Sequence, residues 1–503
     1  MSVDKSNLST LLSSATLVLV GTLLGALATL FERIIVGRLL SPDAYGEFSI
    51  GLAVLTLGST VALVGLNQGV PRYMARFDTI EDVRGTWWIG LIVGGGTAVL
   101  LSVILLVERS VIAPQLFNTN TATPLFELFV LTIPFYVMLE IGISAIRGLE
   151  NTRFKIYTYD LFFPVARITL LVGLLLAGFD IIATGYSYLA ITVIAAVIAH
   201  IFLNRLLPLR GSKRLHVKKL FGFSAPLMIS AVMSILLTRT DTLMLGYFQP
   251  SRIVGIYNAA FPLAQALIIV LSAFGYLYLP LISRLDRSNE RDEIERVYEL
   301  TTKWIYIVTF PAFALLVAFP NEIIAIVFGA QYAVDPFLLR ILAIGFFTEA
   351  AAGRNRETLT SLGFPRTILL INGLAFVVNA TLNLMWIPEY SYRGAAVASV
   401  ISFILINFLG CWILYYKTTI TPFNSQSVRT FLSLPIILLP PILFLARRVQ
   451  LSLVTIPVFL VTVGITSIAV VALIGGIETE DIIIIEFIEE QIGLRIPHVR
   501  QLF

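Results

Sequence analysis

Residues 452 to 474 read SLVTIPVFLVTVGITSIAVVALI, a run without one charged side chain that closes the apolar part of the chain. A helix rises 1.5 Å per residue, so about 20 such residues cross the ~30 Å of hydrocarbon in a bilayer. Working back from this run, comparable stretches recur near 11–31, 44–70, 86–107, 122–146, 157–178, 182–203, 221–246, 253–282, 303–319, 333–353, 367–387, 394–416 and 430–446. The sequence therefore predicts an all-α membrane protein with fourteen transmembrane helices. Helices satisfy their own backbone in lipid, and the period-2 alternation of a barrel strand is absent.

Composition agrees. Of the 503 residues, 57% are hydrophobic and 13% charged, with a mean hydropathy of +0.89, against about 25% charged in soluble domains. The net charge of +4 is no nucleic-acid signature; the distribution of positive charge is what informs. With the amino terminus inside, the inner segments hold 25 Lys and Arg and the outer ones 7, while Arg167, Arg239 and Arg340 fall within spans. Cytoplasmic loops collect Lys and Arg. The asymmetry predicts a multi-pass protein of the cell membrane with both termini cytoplasmic. The polar start from Met1 to Thr10 runs into a full-length span, so the first helix is expected to stay as an anchor. Cys411 is the single cysteine and sits mid-span, which rules out a disulfide framework. His200, His216 and His498 lack metal-ligand spacing, and no phosphate-cradling glycine loop is present. No cofactor or metal is implied, only a coupling ion, H+ or Na+, of unknown identity.

The chain repeats itself. A shift of 209 residues places Glu32 on Asp241, Gly37 on Gly246, Gly46 on Gly255, Phe48 on Tyr257, Pro71 on Pro280 and Gly185 on Gly394. It also carries span 1 onto span 7 and span 2 onto span 8. Six helices per copy is an even number, so two lobes related by an axis along the membrane normal follow, as in parallel-repeat transporters. The expected organisation is an amino-terminal six-helix lobe over 1–210, a second over 211–417, helices 13 and 14 over 418–477, and an acidic, amphipathic cytoplasmic tail over 478–503.

The polar outer end Glu32-Arg33, the segment Gly37-Arg38-Leu39-Leu40-Ser41-Pro42-Asp43-Ala44-Tyr45-Gly46-Glu47-Phe48, and Gly69-Val70-Pro71-Arg72-Tyr73 at the close of span 2 resemble the oligosaccharide flippases of the multidrug/oligosaccharidyl-lipid/polysaccharide exporter superfamily. The second copy from Gly246 to Tyr257 repeats the pattern. The resemblance covers essentially the whole chain, including the plan of six, six and two helices. It implies a V-shaped pair of lobes and a cationic cavity between spans 1, 2, 7 and 8 for the phosphate and sugars of a polyprenyl-phosphate-linked glycan. It also implies a lipid-tail groove along the last two helices. The expected function is then a flippase moving that oligosaccharide from the cytoplasmic to the outer leaflet by alternating access, for cell-surface polysaccharide or glycoprotein synthesis. It would work as a monomer among membrane lipids, beside glycan-assembly enzymes.

Ionisable groups inside spans carry the chemistry, because each costs about 2.5 to 3.5 kcal/mol at a helix centre unless paired or wet. Arg167, Arg239, Arg33 and Arg340 are the candidate substrate-binding residues. Glu32, Asp241, Glu140 and Glu349 are the candidates for charge pairing or ion coupling. Arg167 lies ten residues, or ~15 Å, into span 5 and either contacts an anion or pairs with Glu140 to hold the lobe. Arg239 and Asp241 are expected to meet Glu32 and Arg33 at the outer apex; the plainer alternative is snorkelling to the interface. Arg340 and Glu349 form the matching set in the second lobe. Arg72, Arg76, Arg147, Arg153, Arg284 and Arg366 read as positive-inside anchors. Pro134, Pro164, Pro226, Pro262 and Pro311 bend their spans. Two rivals stand beside the flippase. A multidrug or cation antiporter of the same superfamily is expected to have an acid-rich, arginine-poor cavity. A polytopic glycosyltransferase or ligase would need a large loop that the chain lacks. No enzyme activity is expected.

Overall fold

The computed structural model describes residues 25, 27–117, 122–476 and 481. Every regular element among them is helical: α1 (27–39), α2 (Pro42–Leu63), α3 (Leu66–Met74), α4 (Ile80–Val107), α5 (Arg109–Phe117), α6 (Thr123–Gly148), α7 (Thr152–Leu176), α8 (Ile182–Leu206), α9 (Val217–Phe248), α10 (Ser251–Gln265), α11 (Ile268–Arg287), α12 (Arg291–Ala318), α13 (Pro320–Val327), α14 (Pro336–Ala352), α15 (Asn355–Ser361), α16 (Pro365–Thr418), α17 (Ser425–Ala446) and α18 (Thr455–Leu473). Ten of them are long and apolar enough to cross a membrane, or eleven when α14 and α15, bent by 40°, count as one span.

Three features separate this count from fourteen. The first expected span lies outside the described residues up to residue 24. The eighth is split between Gln265 and Ile268 into α10 and α11. The eleventh and twelfth run together as α16, which has one non-helical residue, Ser391 at φ 55°. The tail expected over 478–503 lies outside the described residues except for Asp481.

The described chain forms two compact units: Met1–Asn258 with Asn383–Tyr392, and Ala259–Leu382 with Arg393–Phe503. In the first, α6 is the hub, packed on α8, α2, α3 and α4 through Phe129, Ile133, Val137 and Ile141, all fully buried. The breaks after α1 and after α9 fall at Leu39 and Phe248, and the next helices start at Pro42 and Ser251, so both features repeat 209 residues apart. The two starts touch. A Cβ on Gly46 would lie 1.8 Å from the Ser251 carbonyl oxygen, and one on Gly255 would lie 2.0 Å from that of Pro42. Asp43 and Arg252, also 209 apart, pair at 3.7 Å. Only residues without a side chain permit this approach. Gly65, at φ +73°, breaks the second expected span where it meets the Ser224 carbonyl of α9.

The connection between α8 and α9 is strapped to the start of α4. Arg84 donates to the carbonyls of Pro208 (2.8 Å) and Ser212 (2.5 Å), and His216 meets Asp82 at 2.8 Å. In the second unit α12 is the hub, against α14, α18, α11 and α17. Its buried Lys303 bonds the Asp481 carboxylate at 2.7 Å and the Gly476 carbonyl at 3.2 Å, while Trp304 Nε1 donates to the same carboxylate at 2.7 Å.

Candidate functional site

A cavity of about 420 Å³ in the first unit is lined by Arg33, Lys155, Asp160, Arg167 and Arg239 together with the rings of Tyr136, Tyr159 and Tyr188. Helix α1 supplies Arg33, α7 supplies Lys155, Asp160 and Arg167, and α9 supplies Arg239. Residues 156–162 of α7 are π-helical. That winding brings Lys155 and Asp160, five apart, within 2.8 and 2.7 Å of each other, where an α-helix would turn them away from one another.

Arg167 is almost fully buried and clamped. Its Nε donates to Glu32 Oε1 at 2.6 Å, and its Nη2 to Oε2 of the same carboxylate. Its guanidinium carbon lies 4.2 Å from the Tyr188 ring centroid and 4.6 Å from that of Phe163. A bidentate pair flanked by π faces holds a guanidinium in one orientation. The partner of Arg167 is thus Glu32, not Glu140. Glu140 instead accepts a hydrogen bond from Tyr159 at 2.6 Å, and Tyr159 lies 3.1 Å from the Tyr136 hydroxyl.

Four cations therefore line the cavity, and Glu32 and Asp160 pair with two of them. Arg33 and Arg239 have no ion pair among the described residues. Both face the same cavity, and Arg239 Nε is buried without a hydrogen-bond partner among those residues. Two like charges facing one low-dielectric cavity would be relieved by an anion between them.

The remaining candidates go elsewhere. Asp241 accepts from the Tyr257 hydroxyl at 2.5 Å and from the Asn383 amide at 2.7 Å. Glu349 pairs with Arg356 at 3.1 Å rather than with Arg340, which donates from Nε to the Val317 carbonyl at 2.9 Å. Arg340 lies in the second unit, so three of the four expected substrate-binding arginines share one cavity. Motifs and spacing single out none of Tyr136, Tyr159 and Tyr188, and Lys155 reads in the sequence only as one of the inner positive charges. The signal that could have found them is the polar cluster Tyr157, Tyr159 and Asp160 at the start of an otherwise apolar span.

The family of polysaccharide biosynthesis proteins matches residues 35–334. A probable low-salt glycan biosynthesis flippase, Agl15 of Haloferax volcanii, is 27% identical over 191 residues, covering 37% of this chain and 40% of that protein. The aligned region thus spans less than half the length of that relative. A probable flippase of the same organism, AglR, is 21% identical over 387 residues, covering 76% of this chain and 78% of its own. Among solved structures, the lipid II flippase MurJ in an inward closed conformation superposes with a TM-score of 0.69 at 13% identity, over 91% of this chain and 98% of its own. That likeness shows a shared fold.

Proposed function

Since the chain belongs to the polysaccharide biosynthesis protein family, we propose that it flips a polyprenyl-phosphate-linked oligosaccharide from the cytoplasmic to the outer leaflet. The observation that carries this reading is the pair of arginines, Arg33 and Arg239, unmatched by carboxylates in a tyrosine-walled cavity. A phosphate or pyrophosphate supplies the missing negative charge, and each guanidinium meets its oxygens through two parallel N–H donors. Arg167 faces the same space with its charge already balanced by Glu32, so it contributes donors without adding to the net field. Tyrosine rings offer flat apolar faces and hydroxyls to sugars. Alternating exposure of the cavity to the two membrane faces then carries the head group across while its lipid tail stays in hydrocarbon.

The architecture that goes with this reading has fourteen spans, lobes over 1–210 and 211–417, a final helix pair over 418–477, and both termini in the cytoplasm of a cell-membrane protein. The contacts of Asp43 with Arg252 and of Gly46 with Gly255, each 209 residues apart, support the repeat. Glu32, Glu140, Asp241 and Glu349 keep the empty protein near electrical balance and are where a coupling ion would act. Single cysteines at Ser212 and Ser288 in a Cys411→Ala background test the orientation. Both should resist an impermeant thiol reagent in intact cells.

The function is tested in proteoliposomes with a fluorescent polyprenyl-pyrophosphate glycan, whose outer-leaflet fraction is bleached by dithionite. Arg33→Gln and Arg239→Gln should each slow translocation by about tenfold or more, the loss of one charged hydrogen bond of 1.5 to 3 kcal/mol. Arg239→Lys should recover little, because an ammonium is a point charge. Unchanged translocation in the Arg33→Gln, Arg239→Gln double variant, or transport of organic cations in place of the glycan, would sink the reading.

A further inference from the structure

The connection from α8 to α9 is rich in positive charge and firmly held. Residues 205–219 include Arg205, Arg210, Lys213, Arg214, Lys218 and Lys219 and no acid. Helix α4 fixes the shape of this strap. Besides the contacts of Arg84 and His216, the Glu81 carbonyl accepts from the Arg214 amide at 3.0 Å, and the Lys213 ammonium lies 3.7 Å from the centroid of the Trp88 ring. A Cβ on Gly85 would lie 1.8 Å from the Arg214 carbonyl oxygen, so the strap rests directly on the helix. The acids of α4 that face it are already engaged, Asp82 with His216 and Glu81 with the Ser212 hydroxyl at 3.4 Å. Arg210, Arg214, Lys218 and Lys219 are exposed, and none of them has an ion pair among the described residues.

Leu206 ends one membrane-spanning helix and Val217 starts the next, which puts the strap at the level of the lipid head groups. Leu215 and Val217, on either side of the His216 that faces α4, are 51% and 43% exposed. Uncovered cations beside uncovered apolar side chains at this depth match a leaflet of anionic lipid, whose phosphates meet the charges while the apolar tips enter the boundary with the acyl chains. A soluble acidic partner would supply counter-charge but nothing for Leu215 and Val217 at the membrane surface. We propose that the strap between α8 and α9 is a docking surface for anionic lipid head groups of the adjoining leaflet, gathered by Arg210, Arg214, Lys218 and Lys219. Because Arg84, Glu81 and Asp82 already hold the strap, little chain freedom is lost on binding. Lipids collected there sit at the start of α9, the helix that also carries Arg239.

The test uses the full chain in vesicles of dioleoyl phosphatidylcholine with a minor fraction of dioleoyl phosphatidylglycerol, and bimane on Leu215→Cys in a Cys411→Ala background. Quenching is compared between phosphatidylglycerol and phosphatidylcholine, each carrying a nitroxide at the top of one acyl chain. Phosphatidylglycerol should be preferred about fivefold or more, the factor that one Lys or Arg contributes at such a surface. High salt should erase the preference while quenching by phosphatidylcholine persists. Arg210→Gln, Arg214→Gln, Lys218→Gln and Lys219→Gln together should erase it too, without a change in melting temperature. Equal quenching by the two lipids with the strap intact overturns the proposal, and so does a preference that survives high salt or the fourfold substitution. Absence of quenching by either lipid also overturns it, since the strap then faces water and is open to a soluble partner. Arg33→Gln with Arg239→Gln should keep the preference, so this surface and the transport reading stand or fall separately.

Discussion

Glu32 and Asp241 stand 209 residues apart, each seven residues before the end of its helix, yet the described groups that reach them differ. Glu32 is held by both arms of the Arg167 guanidinium, whereas the groups that reach Asp241 from Tyr257 and Asn383 are neutral donors. A helix break and a glycine contact follow each of them, at Pro42 and Gly46 and at Ser251 and Gly255. Backbone geometry in this fold is thus set by close approach between α2 and α10, and each carboxylate takes its character from whichever helix lies alongside. For Glu32 that helix is α7, and the ion pair it makes is what turns one of three cavity arginines into a balanced group.

The comparison is broken most directly by removing Arg167. Arg167→Ala leaves the Glu32 carboxylate buried without its cation and should cost about 3 to 5 kcal/mol, read as loss of folded protein in fluorescence-detected size exclusion after heating. Arg167→Ala combined with Glu32→Ala should regain most of it; failure to do so means that Arg167 acts mainly through Tyr188 and Phe163. Next in size, Gly46→Ala and Gly255→Ala each force two helix starts apart and should lose about 1 to 3 kcal/mol. Because the contact is reciprocal, the two losses should be alike, and a large inequality would show that the copies do not share this geometry. Asp241→Asn keeps one acceptor oxygen for Tyr257 or Asn383 and should cost about 1 to 2 kcal/mol, well below Arg167→Ala. Smallest of all, Arg239→Gln removes a charge with no ion pair among the described residues and should change the melting temperature by little, within about 0.5 kcal/mol, while translocation falls. A large loss of stability there would show that Arg239 holds the fold together.

The long apolar helices were legible in the sequence because apolar length is a one-dimensional property, and so was the recurrence of Gly46 at Gly255, because glycine is needed where helix starts touch. Pairing was not legible. Arg167 and Glu32 are 135 residues apart, and nothing along the chain ranks Glu32 above Glu140 as a partner; only the side-by-side placement of α1 and α7 decides it. The π-helical stretch at 156–162 was hidden for a different reason. A period of 3.6 puts Asp160 and Arg167, seven apart, on one face, but turns Lys155 away from Asp160, to which the wider winding brings it. Arg84 was hidden within the surplus of inner positive charge, although it is 6% exposed and fastens the connection to α9. Counting charges by loop gives orientation, but it does not separate an arginine that anchors to lipid from one that binds backbone carbonyls.

The contact between Lys303 and Asp481 ties the correctness of the fold to how far translation has proceeded. Asp481 lies past α18, and a chain that stops short of it loses the carboxylate facing an ammonium that is 3% exposed in α12. Removing one member of a buried pair costs about 3 to 5 kcal/mol. A prematurely ended product, with α1 to α18 already made, would thus be marked for the cell's quality control by the loss of this buried pair.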